Sequence, residues 1–132
     1  MPYAEIDHTA DRAFRVRGSS REDLFREAAE AVYAMGGIRM ETAGESKTIP
    51  LQADDLEGLL ILWLNELLFL LEHEQLALRE IRIEQLSDTQ LRASGRAVKV
   101  RTVGKYIKAA TYSGLRIVEQ DGAWSTEVVL DV

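Results

Sequence analysis

Apolar and polar residues recur along this chain with two periods, and the points where one period gives way to the other mark its elements. Tyr3 to Thr9 and Phe14 to Arg17 read as short strands, the second alternating Phe14 and Val16 with Arg15 and Arg17. Gly18 breaks that run. Ser20 then precedes Arg21, Glu22 and Asp23, which is an N-cap with acids in the first turn, where the helix dipole favours them. Leu24, Ala28, Val32 and Met35, flanked by Phe25 and Ala29, make one apolar helical face, and Gly36-Gly37 stops it.

After a polar loop, Lys47 to Gln52 reads as a strand that Pro50 confines to a sheet edge. Asp54 or Asp55 caps a second helix, on which Leu56, Leu59, Leu60, Trp63, Leu64, Leu67, Leu70 and Leu71 share one broad face. Ile81 and Ile83 alternate with Arg82 and Glu84, Ser87-Asp88 turns, and Leu91, Ala93, Gly95 and Ala97 alternate with Arg92, Ser94 and Arg96, which predicts a hairpin. Ile107 to Tyr112 and Leu115 to Val118 add strand, Asp121-Gly122 is a tight-turn dipeptide, and Trp124, Thr126, Val128 and Leu130 alternate towards the end. The fold class predicted is α+β: two helices packed on a largely antiparallel β-sheet, a single two-layer domain over residues 1–132.

Composition supports one domain, since 132 residues with 46% apolar content suffice for one continuous core. With no cysteine, thiolate catalysis, disulfides and thiol-ligated metals are excluded. Met1-Pro2-Tyr3-Ala4-Glu5 has neither basic flank nor apolar core, so no signal peptide and a cytoplasmic location are expected. Leu56 to Leu71 contains Glu57, Asn65 and Glu66 and falls short of the roughly 20 residues that span hydrocarbon, so it reads as a buried helix. The net charge of −6 argues against a general nucleic-acid coat. The charge is unevenly spread, however. Thr89 to Val118 holds seven basic residues and no acid, leaving −13 for the remainder. Solvated strand positions account for that segment, and an anionic partner is the alternative.

The densest polar chemistry is Asp7-His8-Thr9-Ala10-Asp11, at the exit of a strand. Taken alone, it is read as an Asx turn with a solvated histidine, and the sharper alternative is a site for a hard cation. Asp131, behind the apolar Val128-Val129-Leu130 run and before Val132, is the second candidate. A strand this apolar is expected to hold the terminal groups against the sheet edge. If they lie near Asp11, the converging carboxylates require a raised pKa or a metal. His8 reads as a satisfied strand histidine, a ligand or a general base, and His73 as a solvated residue at the end of helix two. No P-loop, Gly-x-Gly-x-x-Gly or Gly-x-Ser-x-Gly pattern occurs, so a stand-alone nucleotide hydrolase has no support. Leu62 and Phe69 lie seven residues apart on the far side of helix two, where a covering second layer is the favoured reading and exposure to a partner the other.

Together, the Asp7-His8-Thr9-Ala10-Asp11 pentapeptide, the two helices and the Val129-Leu130-Asp131-Val132 end resemble the archease family over essentially the whole chain. Glu22-Asp23-Leu24-Phe25, Ala28-Ala29-Glu30-Ala31, Asp54 to Leu60, Trp63 to Leu68 and Ile107 to Tyr112 extend the resemblance. It implies an accessory protein, not an enzyme, that promotes guanylylation of the active-site histidine of an RtcB-type RNA ligase in tRNA splicing and RNA repair and so sustains multiple turnover. The partner implied is that ligase, with GTP at the interface and RNA met only indirectly. The implied cofactor is a divalent cation, calcium or magnesium, on Asp11, Asp131 and Val132, with Asp7, His8 and Lys108 as support or partner contacts. The chain departs from the family pattern at Arg12, where an aliphatic residue is usual, at Ser113, where a histidine is usual, and in the short basic stretch from Ala97 to Tyr106.

Two other classes remain open. A metal-dependent phosphate-ester hydrolase would use Asp7, Asp11 and Asp131 as ligands and His8 as base. A chaperone-like protein-binding module would use the surface around Leu62 and Phe69.

Overall fold

The computed structural model describes residues 2–6, 12–112 and 114–132. In chain order the elements are β1 (Tyr3–Ile6), β2 (Arg12–Gly18), α1 (Arg21–Met35), β3 (Arg39–Gln52), α2 (Leu56–Phe69), β4 (Leu76–Leu86), β5 (Gln90–Thr102), β6 (Ala109–Thr111), β7 (Val118–Gln120) and β8 (Ala123–Asp131). A π-helical turn over Leu70–Glu74 continues α2, and Gln75 ends it in the left-handed region. The predicted α+β class is observed, and the strand pairings among the described residues are antiparallel. The strands divide between two sheets. The first runs β1-β2-β8-β6 with β7 also on β8, and the second runs β3-β5-β4. The helices tie the two together: α1 packs on β2 and β4, and α2 packs on β6 and β3.

The caps form as the sequence predicts. Ser20 Oγ accepts the Asp23 N–H at 3.0 Å while Asp23 Oδ2 accepts the Ser19 N–H at 2.9 Å, a reciprocal arrangement that satisfies donors left over at the helix start. Asp55, not Asp54, caps α2, accepting the Gly58 N–H at 2.7 Å. Asp121 and Gly122 both have positive φ, 53° and 80°, as a two-residue hairpin turn between β7 and β8 requires.

The core lies where the helices meet the inner faces of both sheets. Trp63, Phe14, Phe25, Leu24, Leu59, Leu60, Leu64 and Leu67 are fully buried there. Two aromatic polar tips in the core are matched. Trp63 Nε1 donates to the Phe25 carbonyl at 3.0 Å, joining α2 to α1. The Tyr33 hydroxyl accepts the Leu78 N–H at 2.9 Å, joining α1 to β4, and burial pushes its phenol far above the ordinary value, so it stays neutral.

β3 is longer than the expected Lys47 to Gln52. It begins at Arg39 and crosses a register shift between Met40 and Gly44, which breaks the period of two and hides the strand in a polar sequence. At Gly44 a Cβ would sit 2.0 Å from the Ala97 carbonyl oxygen, so only glycine fits that approach. Pro50 lies on β3 at the edge of its sheet, as expected.

Candidate metal and partner site at the end of the central strand

β8 is not at a sheet edge. Val128, Val129 and Leu130 are buried, and such a strand is paired on both sides: β2 lies along one side and β6 and β7 along the other. The expectation that Asp131 would be held at a sheet edge is corrected accordingly. The register aligns Arg12 with Leu130, Ile6 with Ala13, and Ala109 with Asp131. The ends of β1 and β2 that flank the pentapeptide therefore lie at the same end of the sheet as Asp131. Asp7, His8 and Asp11 themselves lie outside the described residues.

Asp131 is half-buried at the last position of β8, and its carbonyl accepts the Lys108 main-chain N–H at 2.8 Å. The Lys108 side chain is exposed. Val132 is exposed at 46%. Among the described residues no three His, Asp or Glu side chains converge in metal-ligating geometry.

The walls of this end are built by residues to which sequence reasoning assigns no role in the site. Arg12 makes two parallel hydrogen bonds to Glu5, Nε to Oε2 at 2.8 Å and Nη2 to Oε1 at 2.9 Å, and its Nη1 donates to the Met35 carbonyl at 2.7 Å. One guanidinium thus ties β1, β2 and the C-terminal end of α1 together. Its bond to Glu5 holds the Glu5 carboxyl below its usual value and raises its own. The sequence did hold a signal for this clamp: Glu5 pairs with Phe14 across the ladder, so an opposite charge at position 12 is its diagonal neighbour.

A second clamp is Asn65, the lone amide in an apolar helix. Its Oδ1 accepts the Ala110 N–H at 2.8 Å and its Nδ2 donates to the Ala110 carbonyl at 3.1 Å, fixing the short strand β6 to α2. A third element is the stretch after β5. The Gly104 and Lys105 N–H groups donate to the Gly36 carbonyl at 3.0 and 2.9 Å, docking this stretch against the end of α1. Tyr106, the next residue, donates from its hydroxyl to Glu72 Oε1 at 3.0 Å. That bond raises the Tyr106 pKa.

Arg12 is committed to Glu5 and to a carbonyl, and among the described residues no basic side chain forms an ion pair with Asp131. The Asp131 carboxylate is a hard oxygen donor, of the kind that suits calcium or magnesium better than a soft metal.

Leu62 and Phe69 are exposed at 39% and 50%, so no second layer covers them, contrary to the favoured expectation. α2 already buries its opposite side against both sheets, and the described chain supplies nothing to pack beyond it. Phe69 lies against the exposed His73, ring centroids 4.5 Å apart. His73 is solvated at the helix end, as expected.

This geometry defines a small two-sheet α+β protein whose central strand β8 ends in Asp131. The sequence matches the Archease protein family (MTH1598/TM1083) over residues 3–132. Protein archease of Methanosarcina barkeri (strain Fusaro / DSM 804) is 32% identical, covering 98% of this chain and 95% of its own. Protein archease of Archaeoglobus fulgidus is 34% identical, with both chains covered in full. A crystal structure from Thermotoga maritima, described as an archease and possible chaperone, superposes with a TM-score of 0.75 at 26% identity, covering 96% of this chain and 94% of that one. The chain belongs to the archease family.

Proposed function

We propose that this protein is an accessory activator of an RtcB-type RNA ligase, promoting guanylylation of the ligase histidine and multiple turnover without joining RNA itself. A calcium or magnesium ion held by Asp11, Asp131 and Val132 pins the strand end to the segment between β1 and β2, and Asp7, His8 and Lys108 support it or meet the ligase. The observation that carries this reading is the strand order: β8 runs through the interior of its sheet and ends in Asp131, beside the strands that bracket Asp7 to Asp11. The ion would supply positive charge at a cluster of oxygens that otherwise repel. The protein's own contribution is rigidity, because the Arg12, Asn65 and Lys108 contacts hold the surrounding strands.

The test uses purified cognate ligase, GTP and a divalent metal, with catalytic amounts of this protein or its Asp131→Ala variant. Wild type is expected to raise ligase guanylylation and repeated RNA joining, and the folded variant is not. No stimulation by either defeats the activator reading. Release of phosphate from esters by this protein alone would favour the hydrolase. A chaperone-like reading has its own observation, the exposed Leu62 and Phe69. It predicts that Leu62→Ser with Phe69→Ser abolishes protection of a client from aggregation while Asp131→Ala does not.

A further inference from the structure

The second sheet has a face that the proposed function does not use. Directly paired residues on neighbouring strands point to the same side, so the register defines three rows: Ser46, Arg96 and Arg79; Thr48, Ser94 and Arg82; Pro50, Arg92 and Gln85. Ile49 and Ala93 lie between these rows in sequence, Leu91 lies just beyond the last, and all three are buried against the core, so the three rows form the outer face. Four arginines and three hydroxyls thus share one surface of a chain whose net charge is −6.

Their partners differ. Arg96 pairs with Glu80 at 2.8 Å and donates to the Thr42 carbonyl at 3.1 Å, and Arg79 reaches the Glu41 carbonyl at 3.5 Å, so both brace the irregular start of β3. Arg82 and Arg92 are exposed and, among the described residues, form no ion pair. Arg82 lines a groove of about 220 Å³ with Ser46, Lys47, Thr48, Ser94 and the Arg96–Glu80 ion pair, in which the one carboxylate is already matched.

We propose that this face binds the phosphate backbone of single-stranded nucleic acid. Guanidinium forks match phosphate oxygens in pairs, and hydroxyls between them add further donors. A protein partner would call for a central apolar or aromatic anchor, and of the nine positions in the three rows only Pro50 is apolar. Three strands give a platform about 10 Å across, the width of one backbone. With no aromatic side chain in the rows to stack a base, binding is blind to sequence, and RNA and DNA bind alike. This goes beyond the activator reading, in which RNA is met only through the ligase, and it is tested without the ligase.

The experiment measures anisotropy of labelled oligouridylate and oligodeoxythymidylate against salt, using the whole protein alone. Up to four phosphate contacts give a log–log slope as steep as about −2.8, and Arg82→Gln with Arg92→Gln makes it shallower by about 1.4. Arg82→Lys with Arg92→Lys keeps the wild-type slope. No binding at low salt, or an unchanged slope in the glutamine variant, overturns the proposal. Equal binding of polyglutamate overturns it in favour of an acidic protein surface. Self-association at the same salt that the glutamine variant abolishes overturns it in favour of a second copy of the chain.

Discussion

The first sheet is assembled from strands of 4, 7, 3, 3 and 9 residues, the second from strands of 14, 11 and 13. Long ladders hold the second sheet by their own hydrogen bonds and by the apolar side chains they bury. Strands as short as β1 and β6 cannot do so, and each is held by a side-chain clamp: Arg12 on Glu5 and the end of α1, Asn65 on both main-chain groups of Ala110. The clamps gather at the end of the sheet where β8 finishes in Asp131. Precise positioning is concentrated where the candidate site lies, whereas the outer arginines Arg82 and Arg92 are not drawn into the folding of their sheet.

The largest effect that probes this contrast comes from Trp63, which serves both sheets through the helix pair. Trp63→Ala is expected to cost about 3–5 kcal/mol in denaturant unfolding, with both sheets lost together. Separate transitions for the two sheets would break the idea of a shared helical core.

Asn65→Ala acts on one sheet only. It leaves the Ala110 N–H and carbonyl without the partners they have now, for about 1–3 kcal/mol. Hydrogen exchange should speed up at Ala110 while the central amides of β5 remain protected. Equal loss in both sheets would contradict the local role of the clamp.

Arg12→Met removes a partly exposed ion pair and a helix-end contact, for at most about 1 kcal/mol. The Glu5 pKa is lowered in the fold, so the stability it contributes is present above the ordinary carboxylate range and is lost as the pH falls through its folded value. The gap between wild type and variant in urea unfolding should therefore narrow in acid. A gap independent of pH would assign the effect to the Met35 carbonyl contact instead.

The smallest effect concerns the start of α2, which touches the first sheet's loop through Tyr112. Its hydroxyl donates to Asp55 at 2.7 Å, and this bond pushes its pKa up to about 12. In Asp55→Ala, ultraviolet titration should return Tyr112 towards about 10. An unchanged titration would show that the contact does not persist in solution.

Local features were legible in the sequence. The cap at Ser20, a cap for α2 at Asp54 or Asp55, the turn at Asp121-Gly122, the edge position of Pro50 and the exposed His73 follow from rules acting within a few residues. The division into two sheets was not, because it depends on β8 inserting between β2 and β6, partners more than a hundred and about twenty residues away in sequence. Periodicity places Leu62 and Phe69 on the far side of α2 but carries no information on what covers them. Asn65 looked like an interruption of an apolar helix, and only the strand laid beside it reveals its role. For the site, the pentapeptide and Asp131 were legible as candidates, and Arg12 was noticed only as an unusual residue, although it joins three elements.

The central claim is that the functional centre lies at the end of β8 and holds a hard cation. Calcium titration followed by backbone amide chemical shifts tests it most directly. The account predicts saturable shifts at Asp131 and Val132 with a dissociation constant of about 10⁻⁴ to 10⁻³ M, quiet amides in the middle of α2, and loss of the response in Asp131→Ala. A folded Asp131→Ala variant that titrates like wild type, or shifts that never saturate, would contradict it.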